Sequence, residues 1–153
     1  MELALYQPDI PGNVGAILRL GACFGVPVHV IEPCGFAFSA REVRRSGMDY
    51  ADKVEIIRHP DWESFLAVTG ARGQRIALLT TKGATRLPDV TFKGDDVLLF
   101  GCESKGAPDN VHDAATLRVL IPMRPGLRSL YVAVSAGIAL SEALRQTNGY
   151  PTA

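Results

Sequence analysis

The stretch Ile121–Gln146, IPMRPGLRSLYVAVSAGIALSEALRQ, decides how this chain folds. It runs a turn containing Pro122, Arg124, Pro125, Gly126 and Arg128 straight into a helix, expected over Ser129–Gln146. Pro and Gly fix the backbone of such a turn and leave amide and carbonyl groups free to face a ligand. The helix is rich in Ala, Val, Ser and Gly, and small residues let a neighbouring element pack close to its axis. A ligand loop braced on a tightly packed helix is the reading.

Outward from this stretch, strands and helices alternate. Strands are expected at Glu2–Tyr6, Val26–Ile31, Val54–Ile57, Arg75–Thr80, Asp96–Phe100 and Leu117–Ile121. Val26–Ile31 is continuously apolar, as a strand covered on both faces is. Helices are expected from Gly12-Asn13 to Gly25, from the capping box Ser39-Ala40-Arg41-Glu42 to Gly47, over Asp61–Val68 and over Pro108–Ala114. This order predicts a three-layer α/β/α fold with a mainly parallel sheet, one domain over residues 1–153.

The bulk numbers narrow the function classes. Apolar residues make up 47% of the chain, too many for a disordered segment. The longest weakly polar run, Val132–Leu140, is too short to cross a bilayer, and Met1–Ala4 does not open a signal peptide. No membrane association is expected. Cys23, Cys34 and Cys102 are odd in number and widely spaced, which points to reduced thiols in the cytoplasm. With His29, His59 and His112 equally scattered, no metal site is expected. Net charge is zero, so a nucleic-acid partner must meet a local patch. Arg41, Arg44, Arg45 and Lys53 form a candidate patch, although charge alone favours a solvated helix face.

Three strand ends carry unusual residues: Leu79-Thr80-Thr81-Lys82-Gly83, Phe100–Pro108 and Ile121–Gly126. Ligands of open α/β sheets collect at such ends. Together they suggest a pocket made mostly of backbone, suited to a flat heterocycle such as adenine. The dinucleotide fingerprint, the Walker phosphate loop and the Gly-x-Ser-x-Gly elbow are all missing. Arg19 interrupts an apolar helix face between Leu18 and Leu20. Spacing admits a surface arginine covering the helix with its stem, and equally a guanidinium aimed at a phosphate. Glu103 reads as a carboxylate holding Arg19 or a backbone donor, or as an acid at a helix start.

Three segments, Pro8–Arg19, Leu99–Pro108 and Ile121–Leu130, resemble the three motifs of the SPOUT class of RNA 2'-O-ribose methyltransferases. Within it, the chain is similar to the short bacterial group that acts on the wobble nucleotide of tRNA, a cytidine or modified uridine. The resemblance covers essentially the whole sequence. It implies a C-terminal trefoil knot, S-adenosyl-L-methionine as cofactor, tRNA as substrate, and a homodimer joined through the first and last helices. It casts Arg19, with Asn13 and Glu103, as the catalytic set, and Leu79, Gly101, Ile121 and Ser129 as cofactor contacts. The chain departs from the family at Tyr131, where the family usually has Asn. That leaves two alternatives: methylation of another RNA site such as ribosomal RNA, or a binding protein with weakened catalysis.

Overall fold

A computed structural model describes residues 1–39, 41–42, 45, 48–83 and 85–152, apart from the side chains of 48 and 49. Seven strands are present: β1 (Glu2–Tyr6), β2 (Val28–Ile31), β3 (Ile56–His59), β4 (Ile76–Leu79), β5 (Thr85–Arg86), β6 (Val97–Phe100) and β7 (Leu117–Leu120). They form one sheet in the order β3-β2-β1-β6-β4-β7-β5, and every pairing is parallel. The helices are α1 (Pro11–Phe24), α2 (Trp62–Ala71), α3 (Asp109–Ala114) and α4 (Val132–Thr147).

Alternation along the strands sorts the core into two layers. Leu3, Leu5, Ala77, Leu79, Leu98 and Phe100 face α1 and α4. Ala4, Ile76, Leu78, Val97 and Leu99 face α2 and α3 with Trp62, Phe65 and Val111. Both faces are covered, which explains why the central strands β4 and β6 are apolar and buried throughout. The three-layer architecture is the one the sequence predicts. No helix among the described residues is long and apolar enough to cross a membrane.

Several boundaries move for physical reasons. α1 starts at Pro11, whose fixed φ suits a first helical position, and Gly25 ends it in the left-handed region at φ 65°. α4 starts at Val132 rather than Ser129, because Ser129 and Leu130 line a cavity instead. β3 lies two residues beyond the expected Val54–Ile57, and its ladder ends on buried His59. β5 and a 3-10 helix at Met48–Lys53 carry too weak a pattern to be read from sequence. The capping-box helix expected to reach Gly47 falls partly on Ala40, Val43, Arg44, Ser46 and Gly47, which lie outside the described residues. Arg44 of the candidate basic patch is therefore outside them too. Within that segment the Ser39 hydroxyl accepts the Glu42 N–H at 3.3 Å, as such a box requires.

Two polar clusters hold the sheet. Asp96, fully buried, accepts two hydrogen bonds from Arg75 at 2.8 and 2.7 Å and one from the Lys93 N–H at 2.8 Å. Stripping one partner from a buried pair of this kind costs about 3–5 kcal/mol. In the second cluster, Glu2 Oε2 lies 2.7 Å from His29 Nε2, and His29 Nδ1 lies 2.8 Å from His59 Nε2. A carboxylate only accepts, so His29 Nε2–H donates to Glu2 and His59 Nε2–H donates to His29. Arg72 approaches Glu2 at 3.4 Å. Burial, and then the neighbouring His29 and Arg72, push the His59 pKa below its ordinary value. His59 thus stays neutral in the fold while the unfolded chain takes up a proton near about pH 6.5. Stability from this source is complete above that pH and lost as pH falls below it. The melting temperature should therefore drop from pH 7.5 to 5.5 more steeply in the wild type than in His59→Asn, which keeps a donor to His29. Parallel melting curves across that window would refute this assignment.

Candidate active site

The carboxyl ends of β4, β6 and β7 open on one cavity of about 340 Å³. Its floor is apolar, with Leu79, Phe100 and Val119 all buried. Leu79, Gly101, Ile121 and Ser129, the four expected cofactor contacts, line it together. Much of the wall is backbone. A Cβ at Gly101 would sit 2.5 Å from the Gly106 carbonyl carbon and 2.6 Å from the Ala107 nitrogen. A Cβ at Gly83 would sit 2.7 Å from the Leu120 nitrogen. Neither position has room for a side chain, so the loops after β4 and β6 close on their neighbours through bare backbone. The Cys102 and Gly106 amides exchange hydrogen bonds at 3.2 and 2.9 Å and hold the second loop in shape. A cavity of this size with an apolar floor and convergent backbone groups suits a flat heterocycle carrying a polar edge.

His112 adds a polar element that sequence reading missed. Its ring lies four residues along α3 from Pro108, whose carbonyl takes the Nδ1–H at 3.1 Å. The neutral ring then has Nε2 free to accept, and the Thr80 hydroxyl donates to it at 2.9 Å. Thr80 in turn accepts the Lys82 N–H at 3.2 Å, which fixes the turn at the cavity mouth. The helical spacing from Pro108 was the available signal.

The first and second motif loops meet beside this cavity. The Asp9 N–H donates to Glu103 Oε2 at 3.1 Å, and the Glu103 N–H donates to Asp9 Oδ1 at 3.2 Å. The Ser104 hydroxyl donates to Asp9 Oδ2. Burial, then the adjoining Asp9 carboxyl, raises the Glu103 pKa, while backbone amides and the Asn13 side chain act in the lowering direction. Side-chain hydrogen bonds from Glu103 and Ser104 lower that of Asp9. Asn13 therefore faces Glu103.

Arg19 meets an aromatic ring rather than the Glu103 carboxylate. It is exposed on α1, and its guanidinium carbon lies 4.5 Å from the centre of the Tyr50 ring. Stacking of this kind fixes the plane of a guanidinium and leaves its N–H edge outward. Neither Arg19 nor Asn13 lines the cavity, whereas Glu103 does. Tyr131 is 80% exposed, lies off the cavity wall, and stands at the start of α4 without capping it by its side chain. Burial pushes the Cys34 thiol up to about 11, with nearby Glu32 acting in the same direction, so it stays protonated and is no nucleophile.

A profile of the SpoU rRNA Methylase family matches residues 1–141. The chain is 54% identical over 144 residues to a tRNA (cytidine(34)-2'-O)-methyltransferase of Beijerinckia indica subsp. indica, covering 94% of this chain and 90% of that protein. A solved structure described as giving structural insights into the 2-OH methylation of C/U34 on tRNA superposes with a TM-score of 0.90 at 39% identity, over 97% of this chain and 96% of that one. An AdoMet-bound rRNA methyltransferase of Sinorhizobium meliloti superposes with a TM-score of 0.85 at 28% identity, over 94% of this chain and 55% of that one. The profile match runs from β1 into α4 and takes in every strand end around the cavity: the chain belongs to the SpoU methylase family.

Proposed function

We propose that the protein transfers a methyl group from S-adenosyl-L-methionine to the ribose 2'-hydroxyl of the wobble nucleotide, position 34, of tRNA. The observation that carries this is the backbone-walled cavity, lined by Leu79, Gly101, Ile121 and Ser129, with the Asp9–Glu103 junction at its side. The names of the similar proteins support the substrate, and the AdoMet-bound relative supports the cofactor. Bound in the cavity, the cofactor supplies a methyl group on a positively charged sulfur. The proposed reaction uses no metal. It places the protein in the cytoplasm, where tRNA is modified.

The ribose hydroxyl is a poor nucleophile until its proton is lost or shared. Arg19 is nearly always protonated, which makes it an unsuitable base. Its role here is to bind the adjoining phosphate and to stabilise negative charge as it builds on the ribose oxygen. The proton leaves through that phosphate or through water. Asn13 and Glu103 fix the loop from which α1 starts, and so set the direction in which α1 presents Arg19.

The proposal includes a homodimer through α1 and α4. Leu127, Leu130, Tyr131, Val134 and Ile138 are all exposed on the turn and the first half of α4, an apolar strip that a second copy would cover. It also includes the trefoil knot. The close backbone approaches at Gly83 and Gly101, together with buried Ala136, Ala139 and Ala143, suit a helix drawn through a tight loop.

The test is methyl transfer to bulk tRNA and to ribosomal RNA, with ribose methylation mapped at position 34 in a deletion strain. Loss of methylation at that position supports the assignment, and its persistence overturns it. Arg19→Ala should lower kcat about 100-fold or more while tRNA affinity changes far less. Full activity in that variant would remove Arg19 from the mechanism. Tyr131→Asn should add a helix cap worth about 0.5–1 kcal/mol in denaturant unfolding. It should leave affinity for S-adenosylhomocysteine within about twofold, as a change off the cavity wall does. A large change in that affinity would show that Tyr131 reaches the cofactor.

A further inference from the structure

The contact between Asp9 and Glu103 is reciprocal: each carboxylate accepts the backbone N–H of the other residue, at 3.1 and 3.2 Å. The two residues lie in separate loops, one after β1 and one after β6. Ser104 closes a third bond to Asp9. A third loop backs the junction, because the Gly35 N–H donates to the Pro8 carbonyl at 2.9 Å. A Cβ at Gly35 would lie 2.6 Å from the Asp9 Cβ, so the bare Gly35 backbone packs directly behind Asp9.

We propose that Asp9 is a positioning residue for methyl transfer, a clasp that locks the first motif loop to the second and so sets Glu103 and Asn13 beside the cavity. This rests on the methyl-transfer function proposed above. Each backbone N–H bond of the clasp ends on a carboxyl oxygen of the other residue, and these N–H donors do not titrate. The Glu103 carboxyl and the Ser104 hydroxyl face Asp9, with the Asn13 amide and the Cys34 thiol on the Glu103 side. The raised pKa of Glu103 and the lowered pKa of Asp9 fit two acids pressed together, one of them better supplied with donors. The cofactor-facing wall has its own support in the Cys102–Gly106 bridge. Loosening the clasp therefore acts on the reacting groups more than on cofactor binding.

Asp9→Ala and Asp9→Asn separate a clasp from a filler of space. In Asp9→Ala, kcat should fall about tenfold or more, a loss of about 1.4 kcal/mol of transition-state stabilisation, with KM for S-adenosylmethionine within about twofold. In Asp9→Asn the amide oxygen still accepts the Glu103 N–H, and most of kcat should return. The second readout needs neither RNA nor turnover. In protein labelled with carboxyl-13C glutamate, the Glu103 titration should move to lower pH in both variants, because the neighbouring acid is gone. Full kcat in Asp9→Ala, equal losses in the two variants, or an unmoved Glu103 titration would each overturn the clasp. A protein inactive on tRNA but showing the titration shift would refute the tRNA assignment and leave the clasp standing.

Discussion

β1 lies between β2 and β6, and the register of these two parallel pairings sets what the carboxyl edge of the sheet can do. Leu5 stands opposite Phe100 on one side and Val30 on the other. The three strands therefore end level, and the residues that follow them must meet. Asp9 reaches Glu103, and Gly35 reaches Pro8. The strand order departs from chain order at this place, since β1 neighbours β6 while β2 and β3 extend the other way. Loops diverge at such a point and leave a crevice, which is where open α/β sheets take ligands. A slip of one residue in either pairing would turn every side chain of β1 over and separate the loops.

The core serves this edge. On one face, Ala136, Ala139 and Ala143 are fully buried, so α4 lies close to the sheet and to α1 without large side chains between them. The turn that precedes α4 brings Met123, Ser129 and Leu130 to the cavity wall. On the other face, α2 and α3 bury Trp62, Phe65 and Val111, and α3 places His112 against Thr80. The Arg75–Asp96 pair fastens the amino ends of β4 and β6, and the Glu2–His29–His59 chain ties β1, β2 and β3 across the sheet.

Much of this was legible in the sequence, because it follows from local rules. Apolar strands bounded by Gly and Pro gave six of the seven strands to within a few residues, and the strand-end segments with Gly101, Ile121 and Ser129 do share one cavity. What was not legible depends on partners distant in the chain. β3 ends on His59 because His29 and Glu2 provide its hydrogen-bond chain, and no pattern in Val54–His59 signals that. Residues 85 and 86 form a strand only because β7 offers them an edge. Asn13 faces Glu103, because α1 begins earlier than expected, at Pro11, and the preceding loop is tied to Glu103 through Asp9.

Arg19 shows why the two readings of a residue need not exclude each other. An arginine between Leu18 and Leu20 was either a stem covering the helix or a guanidinium directed at an anion. In the fold its guanidinium lies over the Tyr50 ring, so the same exposed side chain has both an apolar support and a charged head at the surface. For a chain with no net charge this matters more than a broad positive surface would. Net charge supplies no overall attraction for RNA, so under the proposed function recognition rests on local groups such as Arg19. A guanidinium oriented by an aromatic ring has already given up part of its rotational freedom before substrate arrives, and less is lost when it meets a phosphate. Under the proposed function, Tyr50 is then as much a part of the chemistry as Arg19, although it touches no reacting group.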